Sequence, residues 1–206
     1  LFPYTTLFRS QEDQNFDSDV AVDPEMLGKV FENLLPENLK KGKGSFYTPR
    51  EVVSFMCKQS IKNYLLNNRN FNEEKLTTLL STLDNDENKK DIFSTSDLKI
   101  IDSLLENIKI CDPAIGSGAF PVQFMNEIVT IRMLISDNLK LDYSQYLLKR
   151  NFIENSIYGV DIDSSAIEIA KLRLWLSLII DEKSFDKIDP LPNLDYKILQ
   201  GNSLIQ

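Results

Sequence analysis

The stretch DPAIGSGAF, residues 112–120, determines how the rest of the chain is interpreted. It follows the apolar run 108–111 and precedes an apolar-periodic segment over residues 120–135, an order that predicts a strand, a glycine turn and a helix. Two glycines one residue apart let the backbone turn sharply and approach a ligand closely. The free N–H groups and the dipole of the following helix favour an anionic group there. A Gly-x-Gly pair alone fits a structural turn as well as a ligand-binding turn, so the choice between the two depends on the flanking segments.

A second strand–helix unit follows the first. Residues 156–163 (SIYGVDID) form a short apolar strand ending in acids, and residues 164–180 have the pattern of a helix that Asp163 would cap. Residues 196–199 predict a third strand. Successive strand–helix units indicate an α/β fold with a doubly wound, Rossmann-like parallel sheet, here with its first three strands in the order 3-2-1.

Two acids lie where such a sheet binds ligands, beyond the C-terminal ends of its strands. Asp112 ends the first strand, where its carboxylate would face a cationic ligand group, and Asp161 ends the second, where it would accept hydrogen bonds from a ribose. The alternative for Asp161 is a second helix cap or a solvated carboxylate. The spacing from Gly118 to Asp161 is about twice the roughly 20 residues of a dinucleotide fingerprint, and Pro121 replaces its third glycine. Both points disfavour a nicotinamide or flavin site, and we attribute the excess length to an insertion over residues 141–155.

The upstream part of the chain predicts helices. Thr48 and Glu51 match a capping box with Pro49 at the first helical position, and the helix would extend to about residue 66. Its predicted apolar face consists of Val52, Val53, Met56, Ser60 and Tyr64. The motif fits a well-capped helix or, behind the two aromatic residues 46 and 47, a receptor for a carboxylate and a flat ring. Ser96 and Asp97 would cap a further helix that ends near residue 106.

Composition limits the classes of function. The chain has 206 residues, a net charge of −8, two cysteines and no histidine. The missing histidine removes the usual general base and the usual metal ligand, and we predict no metal site. An acidic chain is not an obvious DNA clamp by itself. The cysteines have no metal or disulfide spacing, which favours a cytoplasmic protein, and no apolar run approaches the length of a membrane span.

Four motifs in one order carry a family resemblance: FYTP (46–49), DPAIGSGAF (112–120), GVDID (159–163) and GNSL (201–204). Together they resemble the cofactor half of N6-adenine-specific DNA methyltransferases of the large restriction-modification type, over about residues 23–204. The resemblance implies transfer of a methyl group from S-adenosyl-L-methionine to an adenine amino group in a restriction-modification or phage-defence system. Double-stranded DNA would be the partner, through parts outside this chain, and no membrane is implied.

The resemblance also assigns cofactor-binding roles. Phe46, Tyr47 and Thr48 would meet the methionine end of S-adenosyl-L-methionine. The residues that would line its amino-acid portion are Asp112, Ala114, Gly116, Gly118 and Phe120. Asp161 would bind the ribose and Ile162 would pack on the adenine. Asn202 would reach the adenine edge with Ser203 and Leu204 nearby, although the family often has Asp at the position of Asn202.

The family's catalytic Asn/Asp-Pro-Pro-Tyr/Phe sequence does not occur in this chain. We therefore expect a fragment without catalytic residues: residues 1–10 resemble translated sequencing adapter, 11–22 would be flexible, 23–107 would form a helical segment with a polar insertion, and 108–206 would be the first half of the methyltransferase domain. The edge of its first strand would be unpaired, which predicts poor solubility and no activity on DNA.

Two other classes of function stay open from the sequence. One is a methyltransferase of the same fold that acts on a protein amide or an RNA base. The other is a non-catalytic nucleotide-binding module. The FYTP helix before the glycine motif favours the DNA enzyme.

Overall fold

The computed structural model describes residues 26–28, 30, 48–81, 93–180, 190 and 192–205. Its elements are α1 (Arg50–Asn68), α2 (Glu73–Ser81), α3 (Thr95–Glu106), β1 (Ile110–Asp112), α4 (Ala119–Leu139), α5 (Gln145–Asn155), β2 (Ile157–Asp161), α6 (Ser164–Ile179) and β3 (Ile198–Gln200). Residues 26–28 and 30 are also helical. No described helix is long and apolar enough to cross a membrane. The segments 1–10 and 11–22 lie outside the described residues.

The three strands form one parallel sheet in the order β1-β2-β3, which confirms the predicted α/β fold and strand order. Asp112 pairs with Gly159, and Asp161 pairs with Gln200. β2 therefore extends two residues beyond the end of β1. Asp112 and Asp161 both lie at the C-terminal ends of the strands, with Asp161 the further along. Among the described strands β1 pairs only with β2, and its other edge is the one that we expect to be unpaired.

The predicted insertion is a packed helix. Its residues form α5, which begins after Ser144, whose hydroxyl accepts a hydrogen bond from the Leu147 N–H. Tyr146, Phe152 and Ile153 are buried against the core, and α5 contacts both α4 and α6. The crossover from β1 to β2 thus contains two helices, which explains the long spacing between the glycine turn and Asp161.

The buried face of α1 differs from the predicted one. Its buried residues recur every four positions, at Val53, Cys57, Ile61 and Leu65. Val53 is buried as predicted and Tyr64 is partly buried against the core. The prediction is wrong for Val52, Met56 and Ser60, because the helix turns its 53–57–61–65 stripe toward α4. Val52 and Met56 are exposed.

Two predicted helix caps are also wrong. α1 begins at Arg50 with Pro49 as its N-cap and no side-chain cap hydrogen bond, so Thr48 lies one residue too early to form a capping box with Glu51. Ser94, not Ser96, caps α3: its hydroxyl accepts from the Asp97 N–H and donates to the Asp97 carboxylate. The cap predicted for α6 is confirmed, since the Asp163 carboxylate accepts from the Ser165 N–H.

A buried ion pair joins α3 to α4. Arg132 Nε donates to Asp102 Oδ1 at 2.8 Å, and the Tyr143 hydroxyl donates to Asp102 Oδ2 at 2.7 Å. Both partners of the ion pair are buried. The hydrogen bond to Asp102 is the largest cause of the raised pKa of the Tyr143 hydroxyl. This network ties α3 to α4 and to the segment that follows α4.

Candidate functional site

The glycine motif forms a tight turn between β1 and α4, as its sequence predicts. The Ala114 N–H donates to Asp112 Oδ1 at 3.0 Å, and the Gly118 N–H donates to the Ile115 carbonyl at 2.9 Å. Gly116 and Gly118 have φ values of 53° and 83°, which L side chains rarely adopt. Gly118 is the N-cap of α4, so the turn ends at the amino terminus of a 21-residue helix.

The first half of the turn rests on β2. The Ile115 N–H donates to the Val160 carbonyl at 3.0 Å, and the Gly116 N–H donates to Asp161 Oδ2 at 2.8 Å. Gly159 makes this approach possible, because a Cβ at this position would lie 2.4 Å from Ile115 Cδ1. The glycine of GVDID therefore has a structural role that its sequence position alone does not show.

The second half of the turn rests on α6. A Cβ at Gly118 would lie 3.0 Å from Ala170 Cβ, which requires glycine at one position and a small residue at the other. One turn further along α6, Arg173 Nη1 donates to the Ser117 carbonyl at 2.9 Å and to its hydroxyl at 3.2 Å. The sequence interpretation missed Ser117 and Arg173. The position of Arg173 on the same helical face as Ala170 and Leu174 was the available signal.

Asp161 joins the turn to the second strand–helix unit. Its Oδ2 accepts from the Gly116 N–H, and its Oδ1 accepts from the Asp163 N–H at 2.9 Å. These two backbone donors fix the carboxylate plane while each oxygen keeps a further lone pair. The next residue, Ile162, is 62% exposed and thus available for contact with a flat apolar group.

Asp112 carries an unsatisfied oxygen. Its Oδ1 bonds the Ala114 N–H, whereas its Oδ2 is buried and accepts no hydrogen bond from any part of the chain that the structure describes. Burial raises the pKa of this carboxyl, the Ala114 N–H opposes the rise, and the negative charge of Asp161 adds to it. A buried carboxylate oxygen without a donor is costly, and a cationic group placed there would relieve that cost.

An apolar groove of about 260 Å³ lies beside Asp112. Phe120 lines it, together with Pro113, Phe124 and, from α1, Met56. α1 also reaches this region through Cys57, whose thiol donates to the Phe120 carbonyl at 4.0 Å, and through Ser54, whose hydroxyl donates to Glu127 Oε1 at 2.8 Å. The groove therefore joins the helix of the FYTP motif to the glycine turn.

The polar turn after β3 reaches Asp161 through the backbone. The Gly201 N–H donates to the Asp161 carbonyl at 2.8 Å. In addition, the side-chain amide of Gln200 donates to the Ile162 carbonyl at 3.2 Å. Asn202 Oδ1 accepts from the Leu204 N–H, and Asn202, Ser203 and Leu204 are exposed.

The structure thus brings the glycine turn, both acids and the GNSL turn to one edge of the sheet. Ala114 is exposed within the turn. Thr48 is half-buried just before α1, and the described contacts place α1, rather than Thr48 itself, against α4. Phe46 and Tyr47 lie outside the described residues.

Comparison with known proteins identifies relatives of this chain. A protein of Methanocaldococcus jannaschii assigned as a type II restriction enzyme and methyltransferase is 37% identical over 207 residues, which cover 91% of this chain and 17% of that protein. The type II restriction enzyme and methyltransferase RM.Eco57I of Escherichia coli is 35% identical over 123 residues, which cover 53% of this chain and 12% of that protein. The chain thus spans 17% or less of the length of these two relatives.

A solved structure shares the fold. The type IIL restriction-modification enzyme MmeI, determined in complex with DNA, superposes with a TM-score of 0.57 at 18% identity and covers 89% of this chain and 23% of its own. A family model described as the DNA-methyltransferase domain of MmeI matches residues 83–204. That match confirms the resemblance to restriction-modification methyltransferases that the four motifs indicated. Because it extends over more than half of the chain, the protein belongs to the MmeI family of DNA-methyltransferase domains.

Proposed function

We propose that this chain binds S-adenosyl-L-methionine and forms the cofactor part of a DNA methyltransferase that modifies the N6 amino group of adenine in a restriction-modification or phage-defence system. The observation that carries the cofactor proposal is the buried Oδ2 of Asp112, which lacks a donor beside a glycine turn at a helix amino terminus. S-adenosyl-L-methionine would supply an ammonium group for this oxygen. It would also supply a carboxylate, which favours the free N–H groups of a helix start.

The remaining residues of the site fit the rest of the cofactor. Asp161 is held rigidly by two backbone donors and keeps lone pairs for the ribose hydroxyls. Ile162 is exposed next to it and suits the adenine ring. Asn202 would meet the adenine edge, with Ser203 and Leu204 beside it. Gly116 and Gly118 let the backbone approach the amino-acid portion, with Ala114 and Phe120 on either side. The proposed contacts of Phe46, Tyr47 and Thr48 with the methionine end rest on the FYTP motif.

When bound, the sulfonium of S-adenosyl-L-methionine supplies an electrophilic methyl group. The described residues would bind and orient this donor. They place no general base against it, and the chain has no histidine and no Asn/Asp-Pro-Pro-Tyr/Phe sequence. We therefore propose that residues outside this chain hold the target adenine, as expected for a base that is flipped out of the duplex. Support for DNA as the substrate comes from the names of the relatives and from the family match.

Isothermal titration calorimetry with S-adenosyl-L-methionine tests the cofactor proposal. We expect measurable binding by the unaltered protein and a loss of at least about tenfold in Asp161→Ala, which removes the proposed ribose contact and the partner of the Gly116 N–H. Lys171→Ala serves as a control that leaves binding unchanged, because its partners Glu168 and Asp195 lie outside the proposed site. No heat of binding by the unaltered protein, or equal affinity in Asp161→Ala, would refute the proposal.

The adenine specificity needs a separate measurement on the complete enzyme. We expect a protein extended to the length of its relatives to convert deoxyadenosine in duplex DNA to N6-methyldeoxyadenosine, detected by mass spectrometry of the digested product. Methylcytosine as the only product would contradict the adenine assignment and leave the cofactor site intact.

A further inference from the structure

Arg173 lies within a helix whose other buried residues are mostly apolar or small. It is 5% exposed, and its neighbours on the inner face of α6 include Ala170, Leu174 and Ser177. A buried guanidinium is costly unless it makes several hydrogen bonds. Arg173 directs Nη1 to the Ser117 carbonyl and the Ser117 hydroxyl, so its placement serves the glycine turn.

Ser117 is the point at which the turn needs support. It lies between Gly116 and Gly118, which both have positive φ values. Because glycine can adopt many other backbone conformations, these two residues do not by themselves fix the shape of the turn. The preceding part of the turn is held by Val160 and Asp161 of β2. The Ser117 carbonyl accepts from Arg173 Nη1, so this side chain restrains the second half of the turn.

The N-terminal helical residues lie against the same guanidinium. A Cβ at Gly28 would stand 2.6 Å from Arg173 Nη1 and 2.8 Å from Cζ. Gly28 is buried, whereas Met26 and Val30 are exposed, so the helix presents its bare backbone to Arg173 at this position. A side chain at residue 28 would move the guanidinium away from its present position against Ser117.

We propose that Arg173 is a positioning residue that holds the glycine turn in its ligand-binding conformation, and that the helix at Gly28 keeps Arg173 in place. This inference rests on the proposed cofactor site. Arg173 is buried and acts through Ser117 rather than by touching the reacting atoms. Its loss should therefore weaken contacts with the amino-acid portion of S-adenosyl-L-methionine, which the turn would hold. The adenosine portion depends on Asp161 and Ile162, which belong to β2 and its end, and should be affected much less.

The experiment compares two ligands by titration calorimetry: S-adenosyl-L-methionine, and methylthioadenosine, which lacks the amino-acid group. In Arg173→Lys the charge stays, but the guanidinium nitrogen that donates to both Ser117 oxygens is lost. We expect about tenfold weaker binding of S-adenosyl-L-methionine and a change of less than about twofold for methylthioadenosine. The matched control is Arg132→Lys, the same change at a buried arginine that bonds Asp102 on α3 instead of the turn. It should lower the melting temperature without changing the ratio of the two affinities.

Gly28→Ala provides a second test that does not depend on the folding of the arginine variant. Its new methyl group meets the end of a flexible side chain, so we expect a folded protein whose guanidinium has moved, with the same selective loss. Parallel weakening of both ligands, unchanged binding of both, or an unfolded Gly28→Ala would refute the positioning role. Failure of the unaltered protein to bind S-adenosyl-L-methionine would instead refute the proposed function on which it rests.

Discussion

Replacing Gly159 by alanine should destabilise the protein and displace the glycine turn. The new Cβ would lie 2.4 Å from Ile115 Cδ1 and 3.1 Å from Ile115 Cβ. A rotamer change of Ile115 can move Cδ1, but Cβ is fixed to the backbone of the turn. Because Ile115 is 3% exposed and packed into the core, relief of the second contact requires movement of the turn backbone itself.

The size of the effect follows from two opposing contributions. Overpacking a close-packed interior by one methyl group costs about 1–3 kcal/mol. Restricting the unfolded chain by a Gly→Ala change returns about 0.4–1 kcal/mol, since Gly159 has no positive φ. We expect a net loss of about 1–2 kcal/mol in the free energy of unfolding. That loss corresponds to a decrease of about 2–8 °C in melting temperature for a chain of this size.

Urea unfolding followed by circular dichroism measures this difference. Gly201→Ala is the matched control: its Cβ would meet only Val160 Cγ1 at 3.6 Å, an ordinary contact, and the stability should stay the same or rise by up to about 1 kcal/mol. In the background of Ile115→Ala the penalty of Gly159→Ala should shrink by at least about 0.5 kcal/mol, because the clashing atoms beyond Cβ are gone. A Gly159→Ala protein as stable as the unaltered one, or an equal penalty in both backgrounds, would refute the reasoning.

Three further predictions concern buried groups. Arg132→Met leaves the buried Asp102 carboxylate without its cation and should lower the free energy of unfolding in urea by about 3–5 kcal/mol. Tyr143→Phe removes one hydrogen bond and should lower it by about 1 kcal/mol. Equal losses in the two variants would contradict this account. The pKa of Asp112 is raised in the folded state, so ionisation of this group lowers stability as pH rises above its ordinary value of 3.8. Asp112→Asn should therefore melt at a higher temperature than the unaltered protein at pH 7, with the gain disappearing toward pH 4 and with weaker binding of S-adenosyl-L-methionine; a lower melting temperature at pH 7 would count against it. Burial, together with the charges of Glu127 and Asp112, raises the pKa of the Cys57 thiol to about 12, whereas Cys111 is exposed. A thiol reagent at pH 8 should therefore modify Cys111 rapidly and Cys57 only after unfolding. Fast modification of Cys57 in the native protein would show that the packing of α1 on α4 at Cys57 is wrong.

The parts of the fold that follow from general rules were predictable from the sequence. Two apolar strands, each followed by a helix, imply parallel pairing, and parallel pairing places Asp112 and Asp161 at one edge of the sheet. The positive φ values of Gly116 and Gly118 follow from the Gly-x-Gly pattern in a tight turn. These inferences need only local patterns and the handedness of strand–helix–strand connections.

Other features depend on contacts that no local pattern contains. The buried face of α1 is set by its packing on α4, and the apolar character of Val52 and Met56 pointed to the wrong stripe. The observed N-cap of α1 differs from the predicted one, because Pro49 occupies the N-cap instead of the first helical position. The need for glycine at Gly159 arises from Ile115, which is distant in sequence. The role of Arg173 is equally hidden, since its partner Ser117 belongs to a different strand–helix unit.

The timing of assembly follows from the way β2 and α6 hold the glycine turn. Gly116 is 45 residues away from its partner Asp161, and Ser117 is 56 residues away from Arg173. During synthesis the turn therefore leaves the ribosome well before the groups that shape it. Closing loops of this length costs entropy before any contact is gained, so the turn should acquire its conformation only when α6 docks. We expect ligand-binding competence to arise in the same kinetic phase as global folding, and never in a nascent chain that ends before α6.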